Sequence, residues 1–210
     1  MIDSSACWHT EPCQRREERG VSEAPVLAEH HGPYTIEDLE AMPDDGQRYE
    51  LIDGALHVSP SPASLHQRVT KRLCTLLDAA SPVELEALPA AVDVQTGKHS
   101  VLEPDVVVLR SAVVESLYRP IDSRDVALVA EVVSPSSVWM DRLVKPRLYA
   151  SGGIPAYLLV ETDEPRVSWF ALSASGGYEL RGVASRDEVL WVTEPFEVSI
   201  VPADLVRPKG

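Results

Sequence analysis

Basic residues are scarce in this chain: 19 Lys and Arg stand against 33 Asp and Glu among 210 residues, giving a formal net charge of −14. Binding to nucleic acid depends on Lys and Arg contacts to phosphate, so the charge balance argues against a uniformly basic binding surface. It does not exclude a local one. Segment 61–77 contains no acid and holds three basic side chains, Arg68, Lys71 and Arg72, together with His66.

Long apolar runs are missing as well. No stretch approaches the ~20 apolar residues that span a bilayer, and the first residues lack the apolar core of a signal peptide. The three cysteines, Cys7, Cys13 and Cys74, have no framework spacing. We therefore expect a cytoplasmic protein with reduced thiols and no membrane partner. The spacing of Cys7, His9 and Cys13 suggests a small metal-binding site. Because no second pair of ligands lies nearby in the sequence, the pattern favours a tail that contains two thiols without binding metal.

The chain divides into a tail and a single domain. Residues 1–32 are charged and without apolar period, so we predict a flexible N-terminal tail followed by one domain over 33–210. Thr35 and Asp38 have the spacing of a capping box, which predicts a short helix ending near Pro43. Asp53-Gly54 lies between two alternating runs and predicts a tight hairpin.

A helix over 64–79 is predicted by one apolar stripe, with its basic residues on the other face. A second helix is expected between about Val138 and Ser151, ended by Gly152-Gly153. Predicted strands cover 84–88, 91–96, 101–109, 126–133, 156–161, 166–172, 177–182 and 188–193. The pair 101–109 and 126–133 is apolar on both faces, as in central strands. The last four predict an antiparallel meander. The pattern predicts a mixed α/β (α+β) fold with a central sheet flanked by helices.

Two acids stand where acids are costly. Glu131 interrupts an otherwise apolar strand, and Asp105 opens Val106–Leu109. An ionised carboxylate in an apolar interior costs several kcal/mol unless it is paired or bound to metal. Two carboxylates on neighbouring strands could share Mg²⁺ or Mn²⁺. Taken singly, Asp105 could be a turn residue and Glu131 a strand-end acid paired with Arg. Together they favour a functional site.

Lys145 is the candidate cation. At helical spacing Asp141, Lys145 and Tyr149 share one face, from which Lys145 could reach the carboxylates. The alternative is a solvent-facing Lys paired with Asp141. Pro146 requires that the helix either kinks or starts here. We expect Lys145→Ala to cost little stability, because it would remove little buried surface.

Several short segments occur in a specific order. They are Tyr49–Gly54 (YELIDG), Ser59-Pro60 with His66-Gln67-Arg68, Pro104–Val108 (PDVVV), Glu131–Ser136 (EVVSPS), and Asp141 to Tyr157 with Lys145, Leu148–Ala150 and Gly153–Tyr157. Over about residues 34–170 this set resembles the Uma-two family of restriction endonucleases, which have a PD-(D/E)xK nuclease-like fold.

The resemblance implies roles for particular residues. Asp105 would be the carboxylate of the PD pair and Glu131 the second carboxylate, with Glu50 a further acid at an Mg²⁺ or Mn²⁺ site. The usual lysine position two residues after Glu131 is Val133, so the lysine is expected from the next helix, as Lys145. These four residues would be catalytic, and the three acids would hold the metal.

On the basic helix His66 would contact substrate or have a structural role, and Arg68, Lys71 and Arg72 could hold flanking phosphates.

The implied function is a metal-dependent endonuclease acting on DNA phosphodiester bonds, and a homodimer would suit cleavage of both strands. RNA as substrate is not separated from DNA by the sequence. The competing hypothesis is a binding or interaction module that keeps the fold without turnover. The net charge and Val133 favour that alternative.

Overall fold

A computed structural model of the protein describes residues 32–59, 61–115, 119–135 and 137–208. The predicted tail and its Cys7, His9 and Cys13 lie outside these residues, apart from Gly32. The helices are α1 (Ile36–Glu40), α2 (Ser64–Ala80), α3 (Ser111–Val114), α4 (Lys145–Ser151) and α5 (Pro202–Val206). None of the helices in these ranges is long and apolar enough to cross a bilayer.

The strands form three sheets. They are β1 (Arg48–Ile52), β2 (Ala55–Ser59), β3 (Leu85–Pro89), β4 (Val94–Gly97), β5 (Ser100–Leu102), β6 (Val106–Arg110), β7 (Ile121–Asp122), β8 (Val126–Val132), β9 (Ala156–Glu161), β10 (Arg166–Leu172), β11 (Tyr178–Ser185), β12 (Leu190–Val192) and β13 (Val198–Ile200). The largest sheet has the order β11-β10-β9-β8-β6-β3, a second has the order β2-β1-β5-β4-β7, and β12 pairs with β13. The predicted mixed α/β class is confirmed.

The central strands are covered on both faces. On β8, Leu128, Ala130 and Val132 pack into the apolar cluster under α2, whereas Val129 packs into the cluster under α4. Alternate residues of a strand point to opposite faces, so Glu131 has the parity of Val129 and lies on the α4 side. The continuous apolar run was a correct sign of a strand buried on both faces.

The predicted hairpin and capping box are both present. Asp53 and Gly54 have φ values of 49° and 81°, and β1 pairs with β2 across this two-residue turn. A Cβ on Gly54 would lie 2.6 Å from Cβ of Pro33, so the position requires glycine. Asp38 accepts a hydrogen bond from the Thr35 amide at 2.8 Å, and Thr35 Oγ1 accepts one from the Asp38 amide.

The strand predicted over 101–109 is in fact two strands. β5 belongs to the second sheet and β6 to the largest one, with Glu103-Pro104-Asp105 between them. Proline has no amide hydrogen to donate to a sheet, so the strand ends before Pro104. Because of this break, Asp105 precedes the first paired residue of β6, and its side chain lies beside β8, where the Val132 amide donates a hydrogen bond to it.

The predicted meander is correct for β9, β10 and β11 and wrong for the last strand. β12 pairs with β13, which the sequence did not predict, in a separate hairpin. The apolar residues of this hairpin, Leu190, Val192, Val198 and Ile200, lie in the core cluster under α2. The hairpin therefore covers a face of the sheet, where its apolar side is buried, and does not extend the edge.

Candidate active site

Glu131 on β8 is the centre of the site. Its side chain is 1% exposed, and its Oε1 accepts hydrogen bonds from Lys145 Nζ at 3.1 Å and from the Tyr149 hydroxyl at 2.5 Å. Lys145 and Tyr149 are one helical turn apart, so both point from α4 to the same carboxylate. A buried acid on an apolar strand is thus matched by two donors from one helix.

Lys145 also joins Glu131 to the second sheet. Its Nζ lies 3.0 Å from Glu50 Oε1 and 3.9 Å from Asp141 Oδ1, and its side chain is 5% exposed. The predicted face of Asp141, Lys145 and Tyr149 therefore points into the protein.

A π-helical segment, Met140–Val144, precedes α4, which starts at Lys145 with Pro146 in its first turn. The Tyr157 hydroxyl donates to the Asp141 carbonyl oxygen at 2.6 Å.

Glu50 is held in place by the hairpin. On β1 it pairs with His57, and it is 2% exposed. Its Oε1 accepts a hydrogen bond from the Glu103 amide at 3.0 Å as well as the Lys145 ammonium. The tight turn fixes the register, and the register decides that Glu50 faces inward.

Asp105 lies beside these groups and has partners of its own. Its Oδ1 is 3.0 Å from Arg48 Nη1, and its Oδ2 is 3.0 Å from His66 Nε2 and 2.7 Å from the Val132 amide, which donates to it. The last bond attaches Asp105 to β8 one residue beyond Glu131. The four predicted catalytic residues, Glu50, Asp105, Glu131 and Lys145, border one cavity of about 340 Å³.

Burial and charge act in opposite directions on the three carboxyl groups. Burial raises the pKa of Glu131 to about 8, against the attraction of Lys145. Burial also favours the neutral form of Glu50, but Lys145 and Arg48 outweigh it and lower the pKa of Glu50. The pKa of Asp105 falls to about 2, because the hydrogen bond from His66 and the charge of Arg48 exceed the effect of burial. At neutral pH Glu50 and Asp105 are therefore charged, whereas Glu131 is the carboxyl group of the three that most favours its proton.

The basic face of α2 splits into two groups. Lys71 and His66 line a second cavity of about 660 Å³, which also borders Arg48 and Asp105. The ring nitrogens of His66 contact Asp105 and, at 3.5 Å, Thr70 Oγ1, an arrangement that orients Asp105.

Arg68 and Arg72 do not join the site. Arg68 Nη1 donates to the Val206 carbonyl, and Arg72 Nη1 donates to the carbonyls of Asp204, Leu205 and Arg207 at 2.8, 3.2 and 2.6 Å. These are orphan carbonyls at the end of α5, which a cation satisfies well.

We expect Arg72→Ala to lower the free energy of unfolding by about 1 kcal/mol, because hydrogen bonds from a charged donor are lost at a half-exposed position. Nucleic-acid binding and cleavage should not change. Lys71→Ala is the matched variant one residue away: it should weaken binding and leave stability unchanged. Urea unfolding and binding measured on both variants check this, and weaker binding by Arg72→Ala would contradict it.

Arg48 is the site residue that sequence reasoning missed. It lies two residues before Glu50 on β1 and so shares its face, a period-two signal that was available. Asp141 and Tyr149 were placed on the Lys145 face, but their part in the site was not foreseen. At the usual lysine position, the Val133 amide donates to the Val160 carbonyl, and its side chain packs against the core.

Comparison with known protein families identifies the family to which this chain belongs. The model of the Uma2 family, described as "Putative restriction endonuclease", matches residues 36–204. The chain belongs to the Uma2 family. The resemblance drawn from the ordered segments is thereby confirmed.

A solved structure has a similar fold. It is a protein from Anabaena variabilis described as a "putative nuclease belonging to DUF820", with a TM-score of 0.59 and 16% identity over 78% of this chain and 90% of that one. At that identity the likeness concerns the fold, and it supports the nuclease-like architecture predicted for this Uma2 protein. The curated proteins that were compared include no match.

A restriction-endonuclease-like family implies a divalent metal ion, and the donor set of this Uma2 protein suits one chemically. Carboxylate oxygens are the ligands that Mg²⁺ and Mn²⁺ prefer. The contacts of Glu50 and Glu131 described above all involve Oε1, so Oε2 of each is the oxygen left for a cation, which at Glu131 would replace the proton that burial favours. Within the part of the chain that the structure describes, however, no three Asp, Glu, His or Cys side chains have the arrangement of a ready-made metal site. Arg48 and Lys145 lie between the carboxylates.

Proposed function

We propose that this protein is a divalent-metal-dependent endonuclease that hydrolyses phosphodiester bonds in DNA. One observation carries the proposal: a buried lysine joins two buried carboxylates, Glu50 and Glu131, beside Asp105 at the wall of a single cavity. Burying several charges is costly, and the fold gains no stability from them that apolar residues would not supply. Clustered buried charges with perturbed pKa values are characteristic of catalytic sites.

Each residue has a role that its contacts suit. Glu50, Asp105 and Glu131 would hold the cation, which when bound would polarise the scissile phosphate and lower the pKa of the attacking water. Lys145 would stabilise the negative charge that develops on the phosphate oxygens. His66 and the Val132 amide keep Asp105 oriented towards Glu131. Lys71, at the rim of the larger cavity, would contact a flanking phosphate.

A cleavage assay tests the proposal directly. Supercoiled plasmid, single-stranded DNA and RNA are incubated with the protein in Mg²⁺, in Mn²⁺ and in EDTA. We expect nicking or linearisation of plasmid that needs the metal and is lost in Asp105→Asn. Asp163→Asn, at an exposed turn, is the matched control. Cleavage of RNA alone would show that the substrate is RNA and not DNA. No cleavage of any substrate in either metal would refute the proposal.

A second function, a nucleic-acid-binding module without turnover, is favoured by one finding. Both cations of the site already contact the carboxylate oxygens, and the described residues contain no ready-made metal site. A Mn²⁺ titration separates the two functions. An endonuclease binds Mn²⁺ in a manner that Asp105→Asn weakens, whereas a binding module retains DNA without such a metal site. A homodimer remains a prediction in either case.

A further inference from the structure

Arg48 holds a central position among the acids of the site. Its guanidinium lies 3.0 Å from Asp105, 3.4 Å from Glu103 and 3.9 Å from Glu50, measured between nitrogen and carboxylate oxygen. It is thus a counter-cation shared by acids from β1 and from the segment that joins β5 to β6. A divalent ion bound by Asp105 and Glu50 would be attracted to the same place.

The attachment of Arg48 is looser than that of Lys145. Of its nitrogens, Nη1 donates a hydrogen bond to Asp105, whereas Nε and Nη2 are buried without a hydrogen-bond partner. Lys145, in contrast, has carboxylate oxygens at 3.0 and 3.1 Å and a side chain that is 5% exposed. The Arg48 side chain is 18% exposed and lines both cavities. Of these two cations, Arg48 is the one with fewer close contacts to carboxylate oxygens per nitrogen and with the more exposed side chain.

We infer that Arg48 is an exchangeable cation: it neutralises Asp105 and Glu50 in the metal-free protein and moves to a substrate phosphate when a divalent ion takes their oxygens. The carboxylates never have to remain unpaired, because one cation replaces the other. A guanidinium suits both states, since its planar array of donors pairs with carboxylate and with phosphate. The inference rests on the proposed function for the identity of the substrate. It adds that metal binding at the carboxylates and phosphate binding by Arg48 favour each other.

Two consequences are measurable. Without nucleic acid, Arg48 competes with the metal, so its removal should tighten metal binding. With nucleic acid, phosphate draws Arg48 away, so DNA should tighten metal binding and the metal should tighten DNA binding by the same factor. An arginine that stays in place would give the first effect through its charge alone, so the loss of coupling between metal and DNA in an Arg48 variant is what separates exchange from a fixed arginine.

The experiment uses the full chain freed of metal. Mn²⁺ binding is measured by calorimetry for the parent, for Arg48→Met and for Arg124→Met, whose arginine pairs with Asp122 on the surface. We expect Arg48→Met to bind Mn²⁺ about tenfold or more tightly than the parent, because a like charge has left the site. Arg124→Met should match the parent. Equal or weaker binding by a folded Arg48→Met overturns the inference, as does the absence of Mn²⁺ binding in all three proteins.

A second measurement covers the case in which Arg48→Met does not fold. Arg48→Lys retains a charge but cannot span Asp105, Glu103 and Glu50 together, so we expect Mn²⁺ to bind it several-fold more tightly than the parent. A short DNA duplex should raise the Ca²⁺ affinity of the parent several-fold and that of the folded Arg48 variant hardly at all. Weaker Mn²⁺ binding by Arg48→Lys, or equal coupling in parent and variant, overturns the inference.

The plasmid assay keeps this result apart from the proposed function. Cleavage together with unchanged Mn²⁺ affinity in the Arg48 variants refutes the exchange and leaves the endonuclease proposal standing. If the Arg48 variants bind Mn²⁺ more tightly than the parent and lose its coupling to DNA, but the parent cleaves no substrate, the exchange is supported and the endonuclease proposal is refuted.

Discussion

Glu131→Gln is expected to lose cleavage by about 10³-fold and to be at least as stable as the parent at neutral pH. The loss follows because an amide oxygen cannot replace a charged metal ligand, and metal activation is worth several kcal/mol. The stability follows from the proton on Glu131. The parent buries a neutral carboxyl group, and the amide is neutral and of the same shape, so Lys145 and Tyr149 can still donate to its oxygen.

The pH dependence gives this prediction its sign. The pKa of Glu131 is raised by burial from the ordinary 4.5 to about 8 on folding. Between these values the folded protein binds one proton more than the unfolded chain, so the stability of the parent falls as pH rises. Glu131→Gln lacks this titration. The free energy of unfolding of Glu131→Gln relative to that of the parent should therefore show no pH-dependent gain near pH 4.5, rise towards pH 8 and then level off.

Urea unfolding in EDTA at several pH values measures the effect, with Glu179→Gln on β11 as the control. Glu179 lies at an exposed position beside Arg181, and its variant should follow the parent in both stability and cleavage. Undiminished cleavage by Glu131→Gln would remove Glu131 from the catalytic set. A stability difference that stays constant from pH 5 to pH 8 would show that Glu131 is already charged in the folded protein over that range.

Lys145→Met is expected to abolish cleavage and to lower the free energy of unfolding by about 3–5 kcal/mol. The reason is that Glu50, 2% exposed, loses its ammonium partner at 3.0 Å and remains a buried charge. The expectation from sequence of little loss in stability assumed that Lys145 buries little surface. The structure places its side chain between two carboxylates with 5% exposure, which is why we expect the larger loss.

A double variant separates the two effects. Glu50→Gln combined with Lys145→Met removes the uncompensated charge, so it should recover much of the lost stability and none of the cleavage. The coupling energy from the double-mutant cycle measures the ion pair. Lys98→Met, in the exposed turn between β4 and β5, should match the parent in both assays. Additive effects on stability would show that Glu50 and Lys145 do not interact strongly.

Sequence reasoning located the acids better than it located their partners. Glu131 was visible because a charge inside an apolar strand has few structural explanations, and Lys145 because helical spacing placed it on one face with Asp141 and Tyr149. Arg48 was not recognised, since an arginine at the start of a strand is common on protein surfaces. Its burial depends on Glu103 and Asp105, more than 50 residues away in the chain, and no local pattern encodes that contact.

The second sheet also lay beyond prediction. Hydrophobic alternation identifies a strand but does not say which sheet it joins, so 101–109 was read as one strand across Pro104. The separation of β5 from β6 matters for the site, because it brings Glu103 and Asp105 to opposite ends of a bend around Arg48. The hairpin was predictable in detail, since its turn depends on two adjacent residues alone.

The hydrogen bond from Tyr157 to the Asp141 carbonyl has a consequence for how the protein can move. In a π-helical segment a carbonyl accepts from the amide five residues later, but that residue is Pro146, which has no hydrogen to donate. The phenol of β9 supplies the missing donor, and Glu131 of β8 binds Lys145 and Tyr149 one turn further on. Helix and sheet are thus linked at two successive turns and should fluctuate as a rigid body, with slow amide hydrogen exchange in α4 and β8. Any opening of the 340 Å³ cavity to a bulky polymer is then expected at its remaining wall, the segment 61–63 that leads into α2, because the β1–β2 hairpin is itself joined to α4 by the pair of Glu50 and Lys145.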